Sequence, residues 1–346
     1  MKRLKYLPRK FLIFDGISIA IVILVNFLIC KRYYSSRETN PLCPRPIGSR
    51  KKIYNNFEDI TFITVPRKFS NGNIFERNKL AIHSWLSVSN KSRVLLFIYR
   101  SDFDPTDKFP SLLDKLYGPN RVIYAGPIRA DHKSIPYIDE WFIKGIQYVE
   151  SKYVCFINSD IVLSSGWLTR VKQVYAVLKD KPIVMIGQRI DFDLKPELLN
   201  ELHYGSKYFL KEIDDFVMKC NHSDHSPYGV DTFTFRTDVL PFDPQKIPPF
   251  IMGRYNWDNW LVGFLNNNVS IHTVTFNLSP PIYHVNHKRH NFDVKEDRVA
   301  VNHHLRLANG EHFGSNYDTY WEIFNEQLTC KSAPESYELP NVDDVL

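Results

Sequence analysis

The chain has 346 residues, 44% hydrophobic and 24% charged, with 44 Lys and Arg against 38 Asp and Glu. That length supports a sizeable core in one large domain or two small ones, and the apolar content excludes a disordered chain. The formal charge of +6 leans on Lys2, Arg3, Lys5, Arg9 and Lys10, so little basic bias remains elsewhere and nucleic acid is excluded as a partner.

After that basic tail, residues 1–10, comes FLIFDGISIAIVILVNFLIC, residues 11–30. A helix of this length spans roughly 30 Å, one bilayer core. Asp15 and Asn26 lie toward its ends, where an acid or amide can reach the interface. The run is longer than a signal-peptide core and no small-x-small cleavage site follows, which favours a retained transmembrane signal-anchor. Positive charge ahead of the span puts residues 1–10 in the cytosol and the bulk of the chain in the secretory lumen, a type II topology. Asn90, Asn221, Asn268 and Asn277 each open an Asn-x-Ser glycosylation pattern, which a lumenal location permits. Cys155 is expected as a buried thiol, while Cys43, Cys220 and Cys330 form an odd set able to make one disulfide.

Residues 31–56, rich in Arg, Ser, Pro and Lys without apolar periodicity, read as an extended stem. From 57 to 330, apolar strands alternate with helical patterns. DITFITV precedes IFERNKLAIHSWLSV, RVLLFIY precedes SLLDKLYG, and RVIYAG precedes PYIDEWFIKGIQYVES. YVCFINSDIVL then precedes SGWLTRVKQVYAVLKD, followed by PIVMIGQR. Strands apolar on both faces and spaced by helices predict an α/β fold: a doubly wound, mostly parallel sheet with helices on both faces. Beyond Asp193 come VDTFTFRTDVL, a Pro-rich loop, a helix over 257–265, and a strand pair in VSIHTVTF and PPIYHV. These predict a mixed continuation of the same sheet, with no linker and therefore one domain, before an irregular tail over 331–346.

Ligands of an open parallel sheet bind outside the carboxyl ends of its strands. Asp160 stands at such an end, in Asn158-Ser159-Asp160 after YVCFI, where a carboxylate either holds a divalent metal or caps the next helix. Asp258, in RYNWDNWL, is either a first-turn acid favoured by the helix dipole or a general base. In the second case Arg254, Trp257 and Trp260 form an acceptor-side wall on which a sugar stacks. Gly229 permits close backbone approach to a ligand, and Asp231 two residues later either bonds that ligand or braces a turn. Arg189 pairs with phosphate or with Asp191. Asp102 can meet a nucleoside bordered by Pro66, Arg67 and Lys68. His284 and His287, in HVNH, are exposed loop residues or metal ligands, and imidazole suits Mn²⁺ better than Mg²⁺. The GxSxG, HExxH, GxxxxGK[ST] and GxGxxG motifs are absent from the sequence.

Taken in order, NSD at a strand exit, YGVDTFTFR, the acid of RYNWDNWL and the late HVNH resemble the GT-A fold glycosyltransferases over roughly residues 59–290. More narrowly, with GQR and PPFIMGRYNWDNWL, the chain is similar to a poorly characterised group of GT-A-like proteins. The resemblance implies a hexosyltransferase-like enzyme of the Golgi or ER membrane. It implies transfer from a nucleotide diphosphate sugar to a hydroxyl of a glycan, glycoprotein or glycolipid. It further implies Mn²⁺ or Mg²⁺ at Asp160 with His284 or His287, and donor contacts from Asp102, Asn158, Arg189, Gly229 and Asp231. With Asp258 as base the outcome is inversion. Asn158 replaces the first acid of the D-x-D pattern, which keeps open an inactive lumenal protein that binds glycans or proteins. A retaining enzyme, with Asp258 only positioning the acceptor, also stays open, and no oligomeric state is implied.

Overall fold

The computed structural model describes residues 59–67, 72–287 and 297–331. The expected cytoplasmic tail 1–10, anchor 11–30 and stem 31–56, together with Lys68 and everything past residue 331, lie outside them. No helix among the described residues is long and apolar enough to cross a membrane. All described elements belong to one compact unit within Pro46–Leu346.

The first half follows the expected alternation: β1 (Ile60–Thr64), α1 (Gly72–Leu86), β2 (Arg93–Leu96), the short α2 (Arg100–Phe103), α3 (Lys108–Tyr117), β3 (Val122–Tyr124), α4 (Ile138–Tyr148) and β4 (Tyr153–Ile157). Strand β4 shows why these segments are apolar throughout. Tyr153, Cys155 and Ile157 enter the core on one face of the sheet while Val154 and Phe156 enter the core on the other, so all five are buried. The chain continues through β5 (Ile161–Leu163), α5 (Trp167–Leu178), β6 (Ile183–Ile186), β7 (Arg189–Phe192), α6 (Phe209–Lys219), β8 (His222–Asp224) and β9 (Thr232–Arg236). Last come α7 (Trp257–Asn266), β10 (His272–Thr275), β11 (Ile282–Val285), α8 (Asp297–Ala308), β12 (Trp321–Phe324) and β13 (Gln327–Cys330).

The result is a mixed α/β fold around a nine-stranded sheet ordered β13-β12-β10-β6-β9-β4-β1-β2-β3. The runs β4-β1-β2-β3 and β6-β10-β12 are parallel. Between them β9 is inserted antiparallel to both neighbours, and β13 closes an edge antiparallel to β12. Helices α1, α3, α5 and α6 contribute to the core on one face, α4 and α7 to that on the other.

The C-terminal half departs from the expected continuation. VSIHTVTF and PPIYHV do not pair: β10 joins β6 in the large sheet, whereas β11 enters a second, four-stranded sheet ordered β5-β11-β7-β8. YVCFINSDIVL and PIVMIGQRIDF each hold two strands, because the chain leaves the large sheet after β4 and after β6 and starts a new ladder at β5 and β7. Strand β11 fills the slot between those two, antiparallel to β5 and parallel to β7. Helix α6 lies between Asp193 and VDTFTFRTDVL, where the sequence reading placed no element. Its buried Phe209, Ile213, Phe216 and Val217 follow the i, i+4, i+7, i+8 spacing of an amphipathic helix. Cys155 and Cys220 are buried free thiols and Cys330 is disulfide-bonded, which removes Cys220 from the pairing set.

Two helices approach their neighbours through glycine. A Cβ on Gly145 would meet the Phe156 ring, at 2.7 Å from its Cζ, and one on Gly263 would overlap the backbone of Phe313, at 2.6 Å from its carbonyl carbon and oxygen. A ring can tilt aside, but a packed backbone cannot do so cheaply. Gly263→Ala is therefore expected to lower unfolding stability by about 1–3 kcal/mol, the usual range for overpacking. Chemical denaturation at constant m-value measures this, and an unchanged midpoint would contradict the α7 packing.

Candidate active site

The ladders of the small sheet bring distant polar residues to the carboxyl edge of β4. In the β5–β11 register His284 faces Ile161, and the Val285 N–H donates to the Asp160 carbonyl at 3.1 Å. In the β11–β7 register His284 faces Asp191. The imidazole is thus held between two acids, with Nε2 3.6 Å from Asp160 Oδ2 and Nδ1 3.0 Å from Asp191 Oδ1. His287, two residues past β11, brings its Nε2 to 3.2 Å from the same Asp160 oxygen.

One ligand atom each from Asp160, His284 and His287 lies within 4.8 Å of the others. Bonds of roughly 2.0–2.2 Å to a divalent ion put neighbouring donors about 3 Å apart, so these spacings fit three groups converging on one ion. The Asp191 contact orients His284 with Nε2 toward the site, the arrangement in which a carboxylate fixes the tautomer of a metal-binding histidine. Electrostatics point the same way. Burial alone would raise the Asp160 carboxyl, but hydrogen bonding and charge from His284 and then His287 hold it well below the usual carboxylate range. Burial would likewise lower His284, and Asp160 and Asp191 outweigh it to bring the imidazole up to about 9. An ion entering the site would displace that proton.

A second constellation adjoins the first. Because β9 runs antiparallel to β4 with Ile157 opposite Thr232, the next residues outward, Asn158 and Asp231, must face each other. Asn158 donates from its backbone to the Asp231 carbonyl at 3.1 Å and from its amide to Asp231 Oδ1 at 2.7 Å. The other Asp231 oxygen accepts from Arg189, whose Nε also donates to Asp191 at 3.0 Å. Arg189 is 6% exposed and spent on these two acids, so of the two roles expected for it the ion pair is the one formed. His225, not singled out in the sequence, sits 2.7 Å from Asp191 Oδ2 and 3.0 Å from Arg189 Nη2. A Cβ on Gly229 would strike its ring, at 2.8 Å from Nε2, which accounts for glycine at that position.

The loop ahead of β9 is braced from the C-terminal side. Asn316 donates to the carbonyls of Pro227 and Gly229, and Asn259 in the first turn of α7 donates to those of Tyr228 and Gly314. This ties Asp258 to the same edge. Burial, with the Asp231 charge adding to it, pushes the Asp258 carboxyl up to about 7 against the Asn259 N–H and Arg189. Asn256 caps α7 in a left-handed conformation without a side-chain hydrogen bond.

The expected sugar-stacking wall is not formed. Trp257 is 5% exposed and packs on Trp141 and Phe233, and Trp260 is 1% exposed and stacks on Phe264 with ring centroids 5.0 Å apart. Positions 257, 260, 261 and 265 follow one helical face, which α7 turns into the core, leaving Asp258 beside it. Arg254 is half-buried in the loop before α7 and donates to the Gly253 carbonyl at 3.0 Å. Asp102 lies in α2, beyond β2. Among the glycosylation positions, Asn90, Asn221 and Asn268 are exposed, while Asn277 is half-buried and donates to Glu322 Oε2 at 3.3 Å.

These contacts explain an amide at position 158: an acid there would face the Asp231 carboxylate across a 2.7 Å contact. Asn158→Asp is expected to lower the melting temperature at pH 7. The deficit should shrink as pH falls through the raised pKa of the new carboxylate pair, which would then hold a shared proton. Melting curves of both proteins across pH test this, and a variant more stable than wild type at pH 7 would refute the anchoring role.

No protein-family model matches the chain, and no curated protein matches it. Among solved structures it is similar to the 4-diphosphocytidyl-2C-methyl-D-erythritolsynthase of Anaerococcus prevotii, at 14% identity and a TM-score of 0.36, over 72% of this chain and 100% of that one. A TM-score that low bears on neither the fold nor the chemistry.

Proposed function

We propose that this chain is a glycosyltransferase of the GT-A type, taking a sugar from a nucleotide diphosphate sugar to a hydroxyl of a glycan, glycoprotein or glycolipid. The observation that carries the reading is the convergence of Asp160, His284 and His287 at the carboxyl edge of β4, beside an Asp258 whose carboxyl sits at about 7. Strand edges of this kind are where open α/β sheets bind ligands. Two nearby carboxyls whose surroundings push their pKa values in opposite directions suit two separate tasks.

In this reading Asp160, His284 and His287 hold Mn²⁺ or Mg²⁺. The ion, when bound, supplies positive charge to a departing nucleoside diphosphate. Asp258, near half ionised at neutral pH, accepts the proton of the acceptor hydroxyl. The acceptor oxygen forms its bond to the anomeric carbon from the face opposite the breaking bond to diphosphate, so the product is inverted. In this reading the Asn158 amide serves Asp231 rather than the ion. The same reading puts the enzyme in the Golgi or ER membrane through the apolar segment 11–30.

The test is release of nucleoside diphosphate from a panel of nucleotide sugars by the full chain with Mn²⁺. Asp160→Ala should abolish it, and Asp258→Asn should reduce kcat by about 10²–10⁴-fold, the span attributed to general base catalysis. Turnover should climb between about pH 6 and 8 as the base loses its proton. Stability should move the other way. A carboxyl raised in the folded state costs stability increasingly as pH rises from its unfolded value through about 7, so Asp258→Asn should melt higher than wild type at pH 8. Absence of turnover with every donor, or full activity in Asp258→Asn, would refute the proposal.

A further inference from the structure

A helix that follows a parallel strand begins at the carboxyl edge of the sheet, so the first turns of α1 lie on the edge where Asp160 stands. Helix α1 is seated on β5, the strand that Asp160 introduces. The Trp85 indole donates to the Ile161 carbonyl at 2.9 Å, and Ser84 Oγ accepts from the Leu163 N–H at 3.1 Å. Arg77, Ala81 and Ser84 are spaced i, i+4, i+7, so they share the face that meets β5, with Arg77 nearest the helix start. Arg77 is only 9% exposed, and its Nη1 is fully buried with no hydrogen-bond partner. Among the described residues its guanidinium makes no ion pair. The fields of Asp160 and of the exposed Arg67 both reach it, Arg67 adding to the effect of burial and Asp160 opposing it.

A guanidinium nitrogen taken out of water without a partner is unfavourable, and such a group persists where something else completes it. A planar fork of N–H donors matches two oxygens of a phosphate. We propose that Arg77 is a phosphate-binding residue, its unpartnered guanidinium receiving, with Arg67, the diphosphate of the donor beside Asp160. The inference rests on reading this edge as a nucleotide diphosphate site. It adds a fixed cation, independent of any metal, that would hold the diphosphate before and after the sugar leaves.

The test uses inorganic pyrophosphate and the full chain in detergent, by titration calorimetry with EDTA and again with Mn²⁺. Wild type should bind pyrophosphate in at least one condition. Arg77→Met should weaken that binding by about tenfold or more, the worth of a charge-assisted contact, with Arg77→Lys between the two. Because the arginine has no partner of its own, the ligand-free Arg77→Met protein should melt at or above the wild-type temperature, whereas a structural arginine would lower it. Should Arg77→Met not fold, a crystal of the wild type with pyrophosphate decides, with the anion expected on the guanidinium. Binding within about twofold of wild type in Arg77→Met, no binding in either condition, or an anion seated away from Arg77 would overturn the assignment. Arg77-dependent pyrophosphate binding without sugar turnover would refute the transfer reading alone. Turnover with Arg77-independent binding would refute this inference alone.

Discussion

The buried contact between Arg189 on β7 and Asp231 ahead of β9 is the interaction on which the site depends. It crosses the joint between the two sheets, since β7 belongs to the small one and β9 to the large one. Arg189 also bonds Asp191, which orients His284, and Asp231 also accepts from Asn158, which leads to Asp160. One guanidinium therefore sets the separation of the two constellations. Loss of one partner of a buried pair costs about 3–5 kcal/mol, because the other charge is left unpaired. That penalty keeps the network closed in one arrangement.

Around this pair the local charge is divided rather than shared. Asp160, against two imidazoles, is held ionised, while Asp258, withdrawn from water and within the field of Asp231, is pushed toward neutrality. The difference does not come from residue type, since both are part-buried aspartates at the ends of elements. It comes from what faces each of them: histidines brought in by β11 on one side, an acid brought in by β9 on the other. The antiparallel insertion of β9 is thus an electrostatic device as well as a topological one.

The consequences extend to residues whose chemistry looked promising in isolation. Trp257 and Trp260 are large, amphipathic and next to an acid, which is the composition of a sugar platform, yet helix rotation puts them in the core. Arg189 looked available to phosphate, yet it is consumed by two carboxylates. Arg77 lies in a helix without a motif, yet its buried Nη1 is left without a hydrogen-bond partner. In each case the deciding quantity is burial with or without a partner, which a side chain acquires only from its neighbours.

The sequence by itself determined the strands and helices of the first half, because continuous apolar runs buried on both faces and amphipathic helices are local patterns. It also determined that Asp160 leaves the sheet at a strand exit, since NSD ends an apolar run. The second sheet was beyond its reach. The partners of β5, β7 and β11 are separated by up to a hundred residues or more, and nothing in a short strand such as IVL or IYHV names the one it will meet. The places of His225 and Asp191 follow from those registers, the amide role of Asn158 follows from the β4–β9 register of the large sheet, and the division of the two aspartates follows from both. Tertiary structure decided them because hydrogen-bond ladders between distant strands, not local propensity, choose which polar side chains face each other.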